Sequence, residues 1–345
     1  MTQFRRIVIL GAPRSGTTLL RVLLGRHPAI FALPETPWIS GGYTKVSIRH
    51  LENFLLNDPK GSRNLLQVEP KVIKIALRRL LEATLETKFT DRKSTAQFIA
   101  VKTPDDAGFP DFLMEYFPDA YFLHITRDGR DVALSTIETF SQPGIAKVLA
   151  EGHGLLTFWN ALKRWCYFQN QIQQIPNAGK PYFQLKYENL VADVDGTMNQ
   201  IFDWLQVPPH NVSEPVADDS NTEMLPDHEA GSRDVRERPI VTPSSVGRWR
   251  QLLDPDTFSI IDKEFGEHLI TSGYPLCNSV KVNSEPSEPG FLSSVAALHS
   301  PYPTSRFRFR LNKIIPLIKD LVPAIRKTAS RHIHAHFWED KQAPK

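Results

Sequence analysis

Residues 7–20, "IVILGAPRSGTTLL", constrain what this chain can fold into more than any other stretch. An apolar, β-rich run ends at Gly11, a compact polar turn follows, and an apolar helical pattern runs from Leu19 to Leu24. Residues 4–10 carry no clean polar alternation, which is the habit of a strand buried on both faces in a parallel sheet. Parallel strands need crossovers, usually helices. Here the helix is already written, and Gly25 and Pro28 stop it. The expected class is therefore α/β.

Three more apolar runs support that class: "FIAVKTP" (98–104), "AYFLHITRDGRD" (120–131) and "PYFQLKYENL" (181–190). A helical pattern from about Val132 and an aromatic-rich one over Leu155–Gln174 separate the last two, and a third over 197–208, stopped by Pro208, follows. Strands alternating with helices predict a parallel sheet flanked by helices on both faces. The polar motifs sit just after the strands, at the carboxyl edge where open α/β sheets bind ligands. With 345 residues the chain can bury a full core. It divides by composition into a main domain over 1–277, a Ser/Pro/Glu-rich linker over 278–305 and an extension over 306–345. Within the main domain, the polar stretch 209–246 reads as a long functional loop or lid.

Gly11, Gly16 and Thr18 keep the spacing of the phosphate loop G-x-x-x-x-G-K-[ST], but Thr17 stands where the lysine belongs and Arg14 lies inside the turn. Backbone N–H groups and a helix N-terminus at such a turn suit an anion. Thr17 cannot reach a terminal phosphate as lysine does, and no metal-binding aspartate follows another strand near a second nucleotide signature. The expected site takes a phosphate-like group without a metal. Arg127 and Ser135, eight residues apart in "TRDGRDVALS", offer a guanidinium fork and a hydroxyl to a second phosphate.

"GAPRSGTTLLRVLLGRHP" resembles the 5′-phosphosulfate loop of sulfotransferases that use 3′-phosphoadenosine 5′-phosphosulfate (PAPS), in the Arg-Ser-Gly-Thr-Thr form of the tyrosylprotein and Golgi-type branch and its bacterial relatives. The Arg127–Ser135 pair resembles that family's 3′-phosphate clamp, and the resemblance covers about residues 5–255. It implies the sulfotransferase version of the nucleotide-hydrolase α/β fold, with Arg14, Ser15, Gly16, Thr17, Thr18, Arg127 and Ser135 on the nucleotide. Tyr187 in "LKYENLV" matches a Tyr-Glu-x-Leu segment. "VGRWRQLL" is similar to a Gly-x-Trp segment, so Arg236, Arg238 and Arg248 are further nucleotide candidates. In "FALPETPW", Glu35 takes the place of the catalytic base, a role for which burial would need to raise its pKa. Lys102 in "AVKTP" and Arg14 would stabilise the group in transit. His124, inside an apolar run, is expected to pack rather than catalyse, and His153 has no supporting motif. The implied co-substrate is PAPS, its product is 3′-phosphoadenosine 5′-phosphate (PAP), and no metal is implied. The acceptor would be a hydroxyl or amine on a carbohydrate, lipid, peptide or small metabolite. Two other readings stay open at this point, a small-molecule kinase or NTPase with a degenerate loop and a non-catalytic nucleotide-binding module.

Charge adds one further feature. Residues 301–345 hold ten Lys/Arg against three acids, whereas the first 300 carry 31 basic and 35 acidic residues. The basic excess belongs to the tail, so a nucleic-acid partner is not expected of the main domain. In the tail, Leu311, Ile314, Ile315, Leu317, Ile318, Leu321 and Ile325 form an apolar face flanked by basic residues, suited to a membrane surface or a second copy of the chain. No apolar run reaches membrane-spanning length, and Cys166 and Cys277 form no disulfide framework. A cytoplasmic location, with membrane association through the tail as a variant, is the expectation.

Overall fold

Five parallel strands, one more than the apolar runs announce, form a single sheet in the order β2-β3-β1-β4-β5. They are β1 (Arg5–Leu10), β2 (Ile30–Glu35), β3 (Phe98–Lys102), β4 (Tyr121–Thr126) and β5 (Tyr182–Lys186). The computed structural model describes residues 4–41, 47–57, 69–90, 96–140, 158–213, 243–253 and 255–277. The proposed linker and basic extension, His153, and the greater part of the 209–246 loop lie outside the described residues.

The central strands are buried as their composition requires: every residue of β3, and Ile7–Leu10 of β1, are shielded from water. The unforeseen strand is β2, sequence IFALPE. Its Pro34 lacks an N–H and argues against a central strand, but β2 lies at the sheet edge, where proline is tolerated. Its register with β3 slips: Ala32 pairs with Ala100, then Glu35 with Lys102. The extra residue on β2 is a bulge.

Helix α1 (Thr17–Gly25) follows β1 and buries Leu20, Leu23 and Leu24 in the same core as β1, β3 and β4. After β2 the chain carries α2 (Ile48–Asn57) and α3 (Pro70–Thr90). The short α4 (Pro110–Tyr116) precedes β4. After β4, α5 (Gly129–Phe140) begins three residues before the expected Val132. Helices α6 (Phe158–Ile172) and α7 (Gln174–Asn177) lead to β5, and Trp165 of α6 donates through Nε1 to the Arg127 carbonyl at 3.0 Å. Helix α8 (Tyr187–Ala192) starts directly from β5, and α9 (Val194–Trp204), capped by the Asp193 carboxylate on Gly196 N–H, adds Met198, Ile201 and Phe202 to the core. Helices α10 (Trp249–Leu252) and α11 (Pro255–Thr271) close the described chain.

The sheet, α1 and α4 to α11 belong to a larger unit within residues 4–51 and 84–277, which also holds the start of α2 and the end of α3. In the smaller unit, described over 52–57 and 69–83, Ile73, Leu77 and Leu81 are buried at helical spacing and Lys74 meets Glu52 at 3.4 Å. Among the described residues, no helix is long and apolar enough to cross a membrane.

Candidate active site

The turn after β1 departs from ordinary backbone at two positions. Arg14 has φ 73 and Gly16 has φ 95, both in the left-handed region. For Gly16 the reason is clear, since a Cβ there would also stand 2.4 Å from Cδ2 of Tyr187. Arg14 has no such excuse, and left-handed backbone costs a non-glycine residue roughly 1–2 kcal/mol. Such strain concentrates at functional sites. Turns of this type make concave nests of N–H groups that suit anions. Helix α1 starts at this turn with no side-chain cap and no acidic residue in its first turn, an arrangement that suits a negatively charged partner. Ser15 is fully buried, and its hydroxyl has no hydrogen-bond partner among the described residues.

Glu35 and Lys102 meet at the carboxyl edge of β2 and β3. Lys102 Nζ donates to Glu35 Oε1 at 2.8 Å and to Thr18 Oγ1 at 3.0 Å. The lysine side chain is fully buried and the glutamate side chain is 10% exposed. The bulge makes this contact by carrying Glu35 opposite Lys102. Thr36 N–H then bonds to the Lys102 carbonyl at 3.2 Å and to Thr103 Oγ1 at 3.0 Å, locking the turn behind the carboxylate. A carboxylate, an ammonium and a hydroxyl of the phosphate loop are thus joined by two short contacts.

On the other side of β1, Arg127 follows β4 and binds two distant segments. Nη1 donates to the Arg14 carbonyl at 3.1 Å and Nη2 to the Ser245 carbonyl at 2.8 Å. The guanidinium lies over the Tyr187 ring, 4.5 Å from its centroid, and the Tyr187 hydroxyl meets Ser245 Oγ at 2.8 Å. Arg127 Nε is buried without a partner among the described residues. Ser135, one helix further on, accepts from Arg14 Nε at 3.2 Å. The expected Arg127–Ser135 pair is therefore joined through Arg14, which touches one with its backbone and the other with its side chain.

Arg248 is half-buried at the start of α10, whereas Arg236 and Arg238 lie outside the described residues. His124 is fully buried in β4, its Nδ1 2.6 Å from the Tyr182 hydroxyl, and burial pushes its pKa down to about 3. It is a neutral packing residue at ordinary pH.

Sequence reasoning passed over several supporting groups. Asp131 accepts the N–H groups of Gly247 and Trp249 at 2.6 and 3.1 Å. Asp128 holds Arg130 through two bonds, 2.8 Å from Nε and 2.7 Å from Nη2, and Arg130 stacks 3.7 Å from the Trp249 centroid. Asp131 stands four residues after Arg127 and four before Ser135, a helical spacing that could have singled it out. Asp106, fully buried beyond β3, accepts from the Ser40 hydroxyl. Burial raises its carboxyl pKa well above the ordinary range, the Ser40 bond opposes the shift, and the charges of Asp105 and Glu35 add to it. No local pattern marks that pair, 66 residues apart.

Residues 6–211 match the family model described as "Sulfotransferase family". The chain belongs to the sulfotransferase family. Its relatives include the protein-tyrosine sulfotransferase of Drosophila melanogaster, 28% identical over 204 residues, a match covering 59% of this chain and 38% of that protein. Protein-tyrosine sulfotransferase A of Caenorhabditis elegans is 29% identical over 206 residues, covering 59% of this chain and 50% of that protein. The chain thus spans half or less of the length of these two relatives. Among solved structures, the sulfotransferase domain from the curacin biosynthetic pathway has the same fold, with a TM-score of 0.50 over 75% of this chain and 97% of that one, at 18% identity. The loop at 11–18, the Glu35–Lys102 pair, Arg127, Ser135 and Tyr187 lie inside the matched region, and Ser245 lies beyond it.

Proposed function

We propose that this chain moves a sulfuryl group from PAPS to a hydroxyl or amine of an acceptor, with Glu35 as general base. The observation that carries the proposal is the continuous contact Glu35–Lys102–Thr18, which joins a carboxylate to the phosphate loop through a buried ammonium. The residues suit the nucleotide: Ser15 Oγ and Arg127 Nε are buried donors that lack a protein partner among the described residues, and a phosphate oxygen meets that need.

In this scheme the 11–18 loop with Arg14 holds the 5′-phosphosulfate, while Arg127 with Ser135 holds the 3′-phosphate. Tyr187 braces both through its contacts with Gly16 and Arg127. Arg248 is a further nucleotide contact in this reading. Bound PAPS supplies a labile S–O bond to its 5′-phosphate. Glu35 takes the acceptor proton as the acceptor oxygen or nitrogen bonds to sulfur, and the departing 5′-phosphate of PAP keeps the electron pair of the broken bond. Lys102 and Arg14 face the negative charge that builds on the group in transit.

The relatives' names make a tyrosine hydroxyl the first acceptor to try, ahead of carbohydrate, lipid and small-metabolite hydroxyls. We take residues 1–277 as the catalytic part and the reducing cytoplasm as its setting, which fits two buried, unpaired cysteines. For the basic extension we retain membrane-surface contact or self-association as its role.

Transfer of labelled sulfate from PAPS across acceptor classes tests the proposal, with Glu35→Gln as the control. The variant should bind PAP as the parent does and lose transfer. Full turnover by Glu35→Gln removes Glu35 as base, and absence of PAP binding by the parent protein removes the reading itself.

A further inference from the structure

The segment after the polar loop is fastened by four hydrogen bonds, two to Arg127 and Tyr187 and two to Asp131. Ser245 supplies its carbonyl to Arg127 and its hydroxyl to Tyr187. Two residues on, Gly247 N–H and Trp249 N–H both point at one carboxylate, Asp131, through Oδ2 and Oδ1. Gly247 has φ 70, and a Cβ there would meet nothing within 4 Å, so the position calls for a turn conformation rather than for space. Trp249 is buried against Arg130, which Asp128 holds in place.

Of these fastenings, the Asp131 carboxylate is the one that grips backbone at two points. It is 1% exposed and stands one helical turn from Arg127 on the chain. Each N–H group it accepts is 116 or 118 residues away. We propose that Asp131 is a positioning residue, which docks segment 243–249 and thereby sets the orientation of Arg127 for the nucleotide's 3′-phosphate. The inference rests on the nucleotide reading above. Arg127 reaches the docked segment through Nη2 and the phosphate loop through Nη1, so its plane is fixed only while both acceptors stay where they are. A guanidinium fork recognises phosphate by its plane, and an Arg free to rotate loses that advantage. Asp131 touches neither reacting atom, and its effect passes through Ser245 and Arg127.

The test uses the full chain with Asp131→Ala and the isosteric Asp131→Asn, which replaces one acceptor oxygen by an N–H donor facing a backbone N–H. Titration with PAP and with adenosine 5′-phosphosulfate, which lacks the 3′-phosphate, separates a positioning role from general loosening. PAP affinity should fall about tenfold or more, and affinity for the ligand without the 3′-phosphate should stay within about twofold. In Arg127→Ala, adding Asp131→Ala should cost less than about threefold further, because the two act through one group. Amide exchange at Gly247 and Trp249 in the free protein should quicken in both Asp131 variants. Unchanged exchange overturns the docking, and equal losses for the two ligands or full additivity with Arg127→Ala overturn the link to Arg127. A parent protein that binds neither nucleotide, with exchange still quickened in the variants, refutes the nucleotide reading and leaves Asp131 as a structural anchor only.

Discussion

Replacing Lys102 by methionine should destabilise the protein far more than a surface lysine would, and the Glu35 carboxylate is the reason. The methionine stem fills much of the same buried space, so the change mainly deletes the ammonium. Glu35 then keeps a charge that is 10% exposed and has lost its 2.8 Å partner. Removing one member of a buried ion pair costs about 3–5 kcal/mol, and the slight exposure of Glu35 favours the lower end. Thr18 Oγ1 loses a donor as well, but a hydroxyl can rotate to another partner, which adds no more than about 1 kcal/mol. At roughly 2–4 °C per kcal/mol for a unit of this size, the melting temperature should drop by about 6–12 °C. Adding Glu35→Gln should recover at least half of that drop, since the stranded charge is gone. Calorimetric melting of the parent, the two single variants and the double variant gives the coupling directly. A Lys102→Met protein melting within about 2 °C of the parent would refute a buried, charge-compensated pair, as would a double variant less stable than Lys102→Met alone. Turnover of Lys102→Met, measured well below its melting point, should fall at least tenfold if the ammonium also serves the reaction.

Gly16→Ala should abolish PAP binding and lower the melting temperature, because the new Cβ meets the Tyr187 ring and the left-handed φ strains the backbone; an alanine variant that binds PAP normally would show that the loop is not held as described. Arg14→Ala and Arg14→Gly should both lose at least about tenfold in kcat, yet the glycine variant should be more stable by roughly 1 kcal/mol because it relieves the strain at φ 73. Equal stability in urea titrations would deny that strain. Asp106 gives the pH prediction. Its raised pKa means that the folded protein keeps a proton the unfolded chain releases near about pH 4, so this group's contribution to stability declines as pH rises above that point, by at most about 1.4 kcal/mol per pH unit. Asp106→Asn, which still accepts from Ser40, should gain on the parent as the pH rises from 4 toward 7. A stability gap that does not change with pH would rule the assignment out.

The fold was legible wherever a strand is buried on both faces. FIAVK and YFLHIT are unbroken by proline, and their neighbours in the sheet demand apolar atoms on each side, while YFQLK, at the far edge and only part-buried, was legible from its aromatic and apolar residues. IFALPE escaped because Pro34 and the terminal Glu35 look like a turn, and only its edge position makes a strand of it. The start of α5 escaped for a tertiary reason. Gly129 reads as a turn residue in sequence, but α6 packs Trp165 against it and bonds to the carbonyl of Arg127, which leaves the chain helical from that point. Asp106 and Ser40 carry no local signal at all, since their partnership exists only once two loops from neighbouring strands meet.

The same edge strand shows why the Glu35–Lys102 pair could be suspected from residue types but not built from spacing. In a regular ladder, Ala32 opposite Ala100 would place Pro34 opposite Lys102 and Glu35 opposite Thr103. Side chains alternate faces along a strand, so a shift of one residue moves a group to the opposite face of the sheet. Glu35 would then stand on the wrong side of β3 from the Lys102 ammonium. The bulge between Ala32 and Glu35 removes that mismatch, and an edge strand is where an extra residue disturbs fewest ladder bonds. Proline at 34, the residue that hides the strand from sequence reasoning, supplies no N–H to the ladder and so leaves no donor unpaired at the irregular step. The feature that made β2 hard to read is thus part of what brings its carboxylate to the lysine.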